Sequence, residues 1–144
     1  MKLKFSILLF SFYFTANAQT VFQKYFSEPF EYQQFGYSAF DSSYILAGSR
    51  FVTGTVYDFC AVKIDKYGTI LWSKTYPSAN DEFLSSLSVT PAGEIIMSGY
   101  KSNSAGDNDF SFVKTDRSGT LLWHKTYGNS HMEMPVFSAE DANG

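Results

Sequence analysis

From residue 34 onward the chain is written in short runs where apolar and polar residues alternate, separated by Asp, Gly, Pro and Ser. Such a period of two predicts β-strands. Eight runs satisfy it: 34–40, 44–49, 58–65, 69–76, 84–89, 94–100, 109–116 and 120–127. No stretch carries a 3.6-residue apolar period, so helices are expected to be scarce. The alternation is incomplete in one telling respect, because both faces of several strands are apolar. Ile70 and Trp72 share one face with Leu71 on the other, and Phe110 and Phe112 oppose Val113. A sheet of this kind has to be covered on both sides.

The runs repeat. Sliding the chain by 51 residues without gaps sets Asp58-Phe59 on Asp109-Phe110, Val62-Lys63 on Val113-Lys114 and Asp65 on Asp116. It also sets Gly68-Thr69 on Gly119-Thr120, Leu71-Trp72 on Leu122-Trp123, and Lys74-Thr75-Tyr76 on Lys125-Thr126-Tyr127. Between residues 58–78 and 109–129, twelve of 21 positions are identical. Each unit therefore holds four strands. The third and fourth are joined by Asp65-Lys66-Tyr67-Gly68 or by Asp116-Arg117-Ser118-Gly119. In such turns Asp accepts hydrogen bonds from the turn backbone and Gly takes the left-handed residue. Pro91-Ala92-Gly93 marks the turn between the first two strands of the second unit.

Four strands at a period near 50 residues, apolar on both faces, fit a β-propeller, whose blades stack face to face around an axis. A β-solenoid repeats at shorter periods. The run Asp109 to Asp116, then Gly119 and Leu122 to Gly128, with the strand Ile95-Ile96-Met97-Ser98-Gly99 before it, resembles the bacterial secreted β-propeller repeat family. The resemblance spans about residues 34–144. It implies an exported or cell-surface protein, in a family that often adds a C-terminal sorting domain, none of which is visible. The spacing of Asp65, Gly68 and Trp72, repeated at Asp116, Gly119 and Trp123, is also similar to the tryptophan-docking motif of quinoprotein propellers, with one residue fewer between Asp and Gly. There the Trp packs between blades, so this likeness implies a propeller and no quinone; no cofactor is expected.

The predicted organisation is an all-β, incomplete propeller of four-stranded antiparallel blades: residues 19–33 as a lead-in, 34–80 as one blade, 81–130 as a second, and 131–144 as the start of a third. Closed propellers have about four to eight blades. Two blades and a stub leave apolar faces uncovered, so the chain is expected to be truncated or to associate with further blades or with itself. The twelve repeat residues Asp58, Lys63, Asp65, Gly68, Trp72, Tyr76, Asp109, Lys114, Asp116, Gly119, Trp123 and Tyr127 are expected to hold blades together rather than to carry chemistry.

The N-terminus changes the compartment. Lys2 and Lys4 precede eleven residues, Phe5 to Thr15, that are largely apolar, and Ala16-Asn17-Ala18 follows. This is the pattern of a signal peptide over residues 1–18, cut between Ala18 and Gln19, and eleven residues are too few to span a bilayer. The expected location is extracellular or cell-surface, with no membrane span in the mature chain. Composition agrees with a globular β protein: 44% hydrophobic, 19% aromatic and 17% charged. The net charge of −3, or −5 without the two signal lysines, offers no basic field for nucleic acid.

Candidate chemistry is thin. Cys60 is the lone cysteine, and Ser111 replaces it in the next unit, which suits a small buried residue and rules out an internal disulfide. Asp107-Asn108-Asp109 is oxygen-rich, but its counterpart is Val56-Tyr57-Asp58, so a polar turn is expected rather than a Ca²⁺ loop. His124 and His131-Met132-Glu133-Met134 form no ligand cluster of metal-binding spacing. Lys63, Lys114, Lys74 and Lys125 recur with the unit and are expected to lie along aromatics or to pair with carboxylates. No nucleophile elbow, phosphate loop or zinc spacing occurs. These observations favour a non-enzymatic module that binds a polysaccharide or a surface protein through the loops 51–57 and 102–108, which differ between units. The rival is a fragment of a propeller enzyme acting on extracellular glycans, its site completed by missing blades.

Overall fold

The computed structural model describes residues 32–38, 41–52, 56–103 and 106–129, with the first strand described by its backbone. Eight strands follow in order: β1 (Tyr32–Ser38), β2 (Tyr44–Val52), β3 (Val56–Ile64), β4 (Ile70–Tyr76), β5 (Glu82–Val89), β6 (Ile95–Ser102), β7 (Asn108–Thr115) and β8 (Leu121–Tyr127). They form two four-stranded antiparallel sheets, β1-β2-β3-β4 and β5-β6-β7-β8, with every neighbour consecutive in sequence. The protein is all-β, and neither sheet closes on itself. The observed strands begin and end within three residues of the predicted runs. The signal segment, the cleavage pair Ala18 and Gln19, the lead-in up to residue 31 and the segment 131–144 lie outside the described residues.

The repeat in sequence is a repeat in register. Ile45, Lys63 and Trp72 lie side by side across the first sheet, and Ile96, Lys114 and Trp123 do so across the second. The irregularities recur as well. The ladder shifts between Tyr32 and Phe35 and again between Leu84 and Ser86, then between Lys63 and Ile64 and again between Lys114 and Thr115. Bulges are specified features that re-aim backbone groups. The one in β5 sends the Leu84 N–H across to Ser49 Oγ of the other sheet at 2.9 Å.

The core lies between the sheets. Ile45, Ala47, Phe59, Ala61 and Tyr76 of the first pack with Leu84, Ile95, Met97 and Val113 of the second, with Trp72, Leu87 and Val89 against them. Gly99, on β6, is closed in by the β5 backbone of its own sheet and by a ring of the first sheet. A Cβ there would stand 2.0 Å from the Phe83 carbonyl oxygen and 2.9 Å from the Phe59 ring. The opposite face of the first sheet is buried at Asp58, Cys60, Val62 and Ile64. Cys60 is a free, buried thiol whose Sγ lies 3.4 Å from the Gly48 carbonyl.

Candidate functional site

The repeat residues fall into two groups, those that shape hairpins and those that join sheets. In the β3–β4 turn Asp65 Oδ1 accepts from the Tyr67 and Thr69 amides, each at 2.8 Å. Asp116 Oδ1 accepts from Ser118 and Thr120 at the same distances. Gly68 and Gly119 close these turns at φ 78° and 74°, the region where a Cβ is strained. The Ser118 hydroxyl, followed by the Thr120 amide, holds the Asp116 carboxyl below its ordinary range. Lys63 pairs with Asp41 at 2.7 Å and Lys114 with Glu94 at 3.0 Å. The Lys63 hydrogen bond, reinforced by the Ser43 hydroxyl, lowers the Asp41 carboxyl to about 2.

The second group spans the interface. Tyr76 on β4 donates its hydroxyl to the Gly119 carbonyl of the second sheet at 3.0 Å, and burial pushes that phenol up to about 12. Trp72 lies beneath Gly119, its ring 3.0 Å from where a Cβ would sit. Trp72 and Trp123 are both half-buried. Asp58 accepts from the Ser78 amide at 2.8 Å, and burial, partly offset by that bond, raises its carboxyl. Asp109 accepts from Asn103 Nδ2 at 3.4 Å and lies against Gly128. Tyr57 N–H donates to Asp81 Oδ1 at 2.8 Å, tying the first sheet to the connection into the second. Tyr127, the counterpart of Tyr76, is 54% exposed, whereas Tyr76 is 4% exposed.

One polar cluster was not foreseen. Glu82, on the face of β5 turned to the first sheet, is fully buried. Its Oε1 accepts from the Ser111 hydroxyl at 2.5 Å and lies 2.9 Å from His124 Nε2, which is itself 3.0 Å from Ser111 Oγ. Oε2 has no hydrogen-bond partner among the described residues. Ser, His and Glu are the residue types of a hydrolytic triad, but a triad needs the imidazole to bridge acid and nucleophile through its two nitrogens. Here a single nitrogen meets both, the serine hydroxyl is directed at the carboxylate, and Ser111 is completely buried. The cluster is a hydrogen-bonded staple inside the sheet pair. A sequence signal for it existed: glutamate recurs at the repeat spacing, at Glu31, Glu82 and Glu133. The two outer members fall outside the described residues.

At the β2–β3 end four rings form a continuous run across both sheets. Phe51 and Tyr57 stand 5.1 Å apart, Tyr57 and Phe83 5.3 Å, and Phe83 and Tyr100 5.2 Å. At the equivalent β6–β7 end, Asn103 Oδ1 accepts from the Asp107 amide at 3.0 Å and Ser102 bonds Asn108 at 3.2 Å, so the oxygen-rich segment is engaged in its own turn. Among the described residues no group of three His, Cys, Asp or Glu could hold a metal ion, and no helix is long and apolar enough to cross a membrane. The His131–Met134 segment is outside them. No family model matches the chain, and no curated protein matches it significantly.

Proposed function

We propose that the two sheets are consecutive blades of a β-propeller, and that the chain is an exported, non-enzymatic binding or scaffolding module. Its ligand, a polysaccharide or a protein of the cell surface, would meet the ends of the β2–β3 and β6–β7 hairpins. The observation that carries this reading is the Tyr76 bond to Gly119, made by one repeat residue to another in the next unit. It gives the repeat a blade-to-blade coupling that the next Tyr, at 127, is positioned to make again. The shared residues are thus occupied in turns and sheet docking, while the hairpin ends diverge. Arg50-Phe51-Val52 in one unit becomes Lys101-Ser102-Asn103 in the other. Divergence at exposed loop ends on a shared scaffold is where binding specificity resides.

The test is a glycan array and a panel of purified surface proteins probed with the labelled chain, alongside a variant carrying Phe51→Ser and Tyr57→Val. Binding by the parent, lost in the variant at unchanged melting temperature, is the expected result. Release of new reducing ends from a bound glycan would instead establish the propeller-enzyme reading. Export is tested separately, by sequencing the N-terminus of protein recovered outside the cell, which should begin at Gln19.

A further inference from the structure

Resting on the polysaccharide branch of that reading, we infer that the cleft at the end of β2 and β4 is a binding site for the uronic-acid unit of an acidic polysaccharide. Arg50, Phe51, Val52, Thr75 and Pro77 line a cleft of about 390 Å³, within the range of small-ligand sites. The chemistry of the lining narrows the occupant. Asp58 is the cross-strand neighbour of Arg50, but its carboxylate is taken by the Ser78 amide, and no carboxylate among the described residues pairs with Arg50. Arg50, half-buried as a residue, in a chain of net negative charge, presents a planar fork that matches a carboxylate. The Thr75 hydroxyl is likewise uncommitted among the described residues and can serve a sugar hydroxyl. Val52, two residues from Arg50 on β2 and so on the same face, and Pro77 give the cleft an apolar wall beside these polar groups, the mixture that small-ligand sites use.

The repeat supplies an internal control on whether the fold requires this wall. At the equivalent positions the second unit carries Lys101, Ser102, Asn103, Thr126 and Gly128, and its hairpin keeps the same register, with Ser102 opposite Asn108 as Val52 is opposite Val56. The cation and the threonine are retained while Phe51, Val52 and Pro77 are replaced. The apolar wall is therefore dispensable for building a unit, and its presence in the first unit alone marks a feature of that cleft.

The experiment is calorimetric titration of the full chain with trigalacturonic acid and with a neutral galactose trisaccharide. Arg50→Gln and a Val52→Asn/Pro77→Gly variant bearing the second unit's residues are titrated alongside. Trigalacturonate should bind the parent, and the neutral sugar should bind at least about tenfold more weakly. Arg50→Gln should weaken trigalacturonate by at least about tenfold at unchanged melting temperature, and the double variant should weaken both sugars. No heat at about 1 mM trigalacturonate, or equal binding by Arg50→Gln, overturns the site. Neutral sugar bound as tightly as the acid, and indifferent to Arg50, overturns the site but leaves carbohydrate binding standing. A chain that binds nothing on the glycan array loses the polysaccharide branch, and this site falls with it.

Discussion

Glu82 is a carboxylate taken wholly out of water, and among the described residues only one of its oxygens is satisfied. A buried acceptor without a donor is destabilising, and removing a carboxylate whose partners then lose their bond is more so. Glu82→Gln keeps an acceptor for Ser111 and His124 and removes the charge, so its unfolding free energy should lie within about 1 kcal/mol of the parent or above it. Glu82→Ala removes the buried acceptor and leaves Ser111 and the half-buried His124 with only each other, and should lose about 2–3 kcal/mol. Denaturant unfolding separates the two. If both variants were equally destabilised, the carboxylate charge itself would be what holds the cluster. Tyr76 and Tyr127 make a second paired test. Tyr76→Phe orphans the Gly119 carbonyl within the interface and should lose about 1–2 kcal/mol, whereas Tyr127→Phe, at an exposed site, should be neutral. Because folding raises the Tyr76 phenol to about 12, its contribution is complete below pH 10 and is lost as pH rises toward 12. Tyr76→Phe should flatten that part of the alkaline limb. Asp41 works in the opposite sense. Its carboxyl lies at about 2 rather than 3.8, so the stability it supplies is present above pH 4 and lost as pH falls toward 2. Being exposed, it contributes about 1 kcal/mol or less, and Asp41→Asn should remove that slope from the acid-denaturation profile.

The strands and their hairpins were legible in the chain because each obeys a local rule. Alternation gave the eight strands, and the Asp65 and Gly68 turn with its copy is written in residues whose side chains and φ angles do the turning. The register bulges were not legible. Nothing in Leu84-Ser85-Ser86 distinguishes a regular strand from one that lends its amide to Ser49 of another sheet, since that depends on what packs opposite. Glu82 was hidden for a related reason. An acidic residue in an alternating strand reads as solvent-facing, and only its 51-residue recurrence argues otherwise. The backbone of β5 beside its bulge makes the sharpest demand at this scale. Gly99 faces the fixed Phe83 carbonyl, which cannot rotate away as a side chain could. Gly99→Ala should therefore force the β5–β6 ladder or the Phe59 contact apart and lose about 3 kcal/mol. Gly106→Ala, with nothing within 4 Å but φ 86°, should lose about 1 kcal/mol from backbone strain alone. Thermal melts of the two variants check the contrast, and an unperturbed Gly99→Ala would mean that the Phe83 carbonyl stands further from Gly99 than the structure has it.

Among the described residues, the repeat distinguishes exposure that belongs to an edge strand from exposure that depends on whether a sheet lies alongside. Leu71 and Leu122 are 54% and 49% exposed, alike in both units, so their exposure is a property of β4 and β8 as outermost strands. Tyr76 and Tyr127 differ by 4% against 54%, so theirs depends on whether another sheet lies alongside. The face of the second sheet that carries Phe110, Phe112, Trp123 and Tyr127 is equivalent to the one the first sheet buries; Phe112 already meets Phe110 at a tilt, 6.3 Å between centroids, and Tyr127 edge-on at 6.0 Å. Contiguous apolar surface of a few hundred Å² is unusual on a soluble monomer, and its burial is favourable by about 25 cal/mol per Å². Sheet pairs of a repeat array also gain stability from each neighbour added, with about three units the usual minimum. Residues 19–144 in solution should accordingly associate at micromolar concentration or unfold at low temperature with poor cooperativity. Light scattering read alongside a thermal melt tests this. Tyr127→Lys should shift the population toward smaller species without lowering the melting temperature of the monomer, while Leu71→Lys, on an edge that both units leave open, should shift it less. A parent chain that is monomeric at all concentrations and unfolds in one sharp transition would show that two sheets suffice, and would remove the need for further blades.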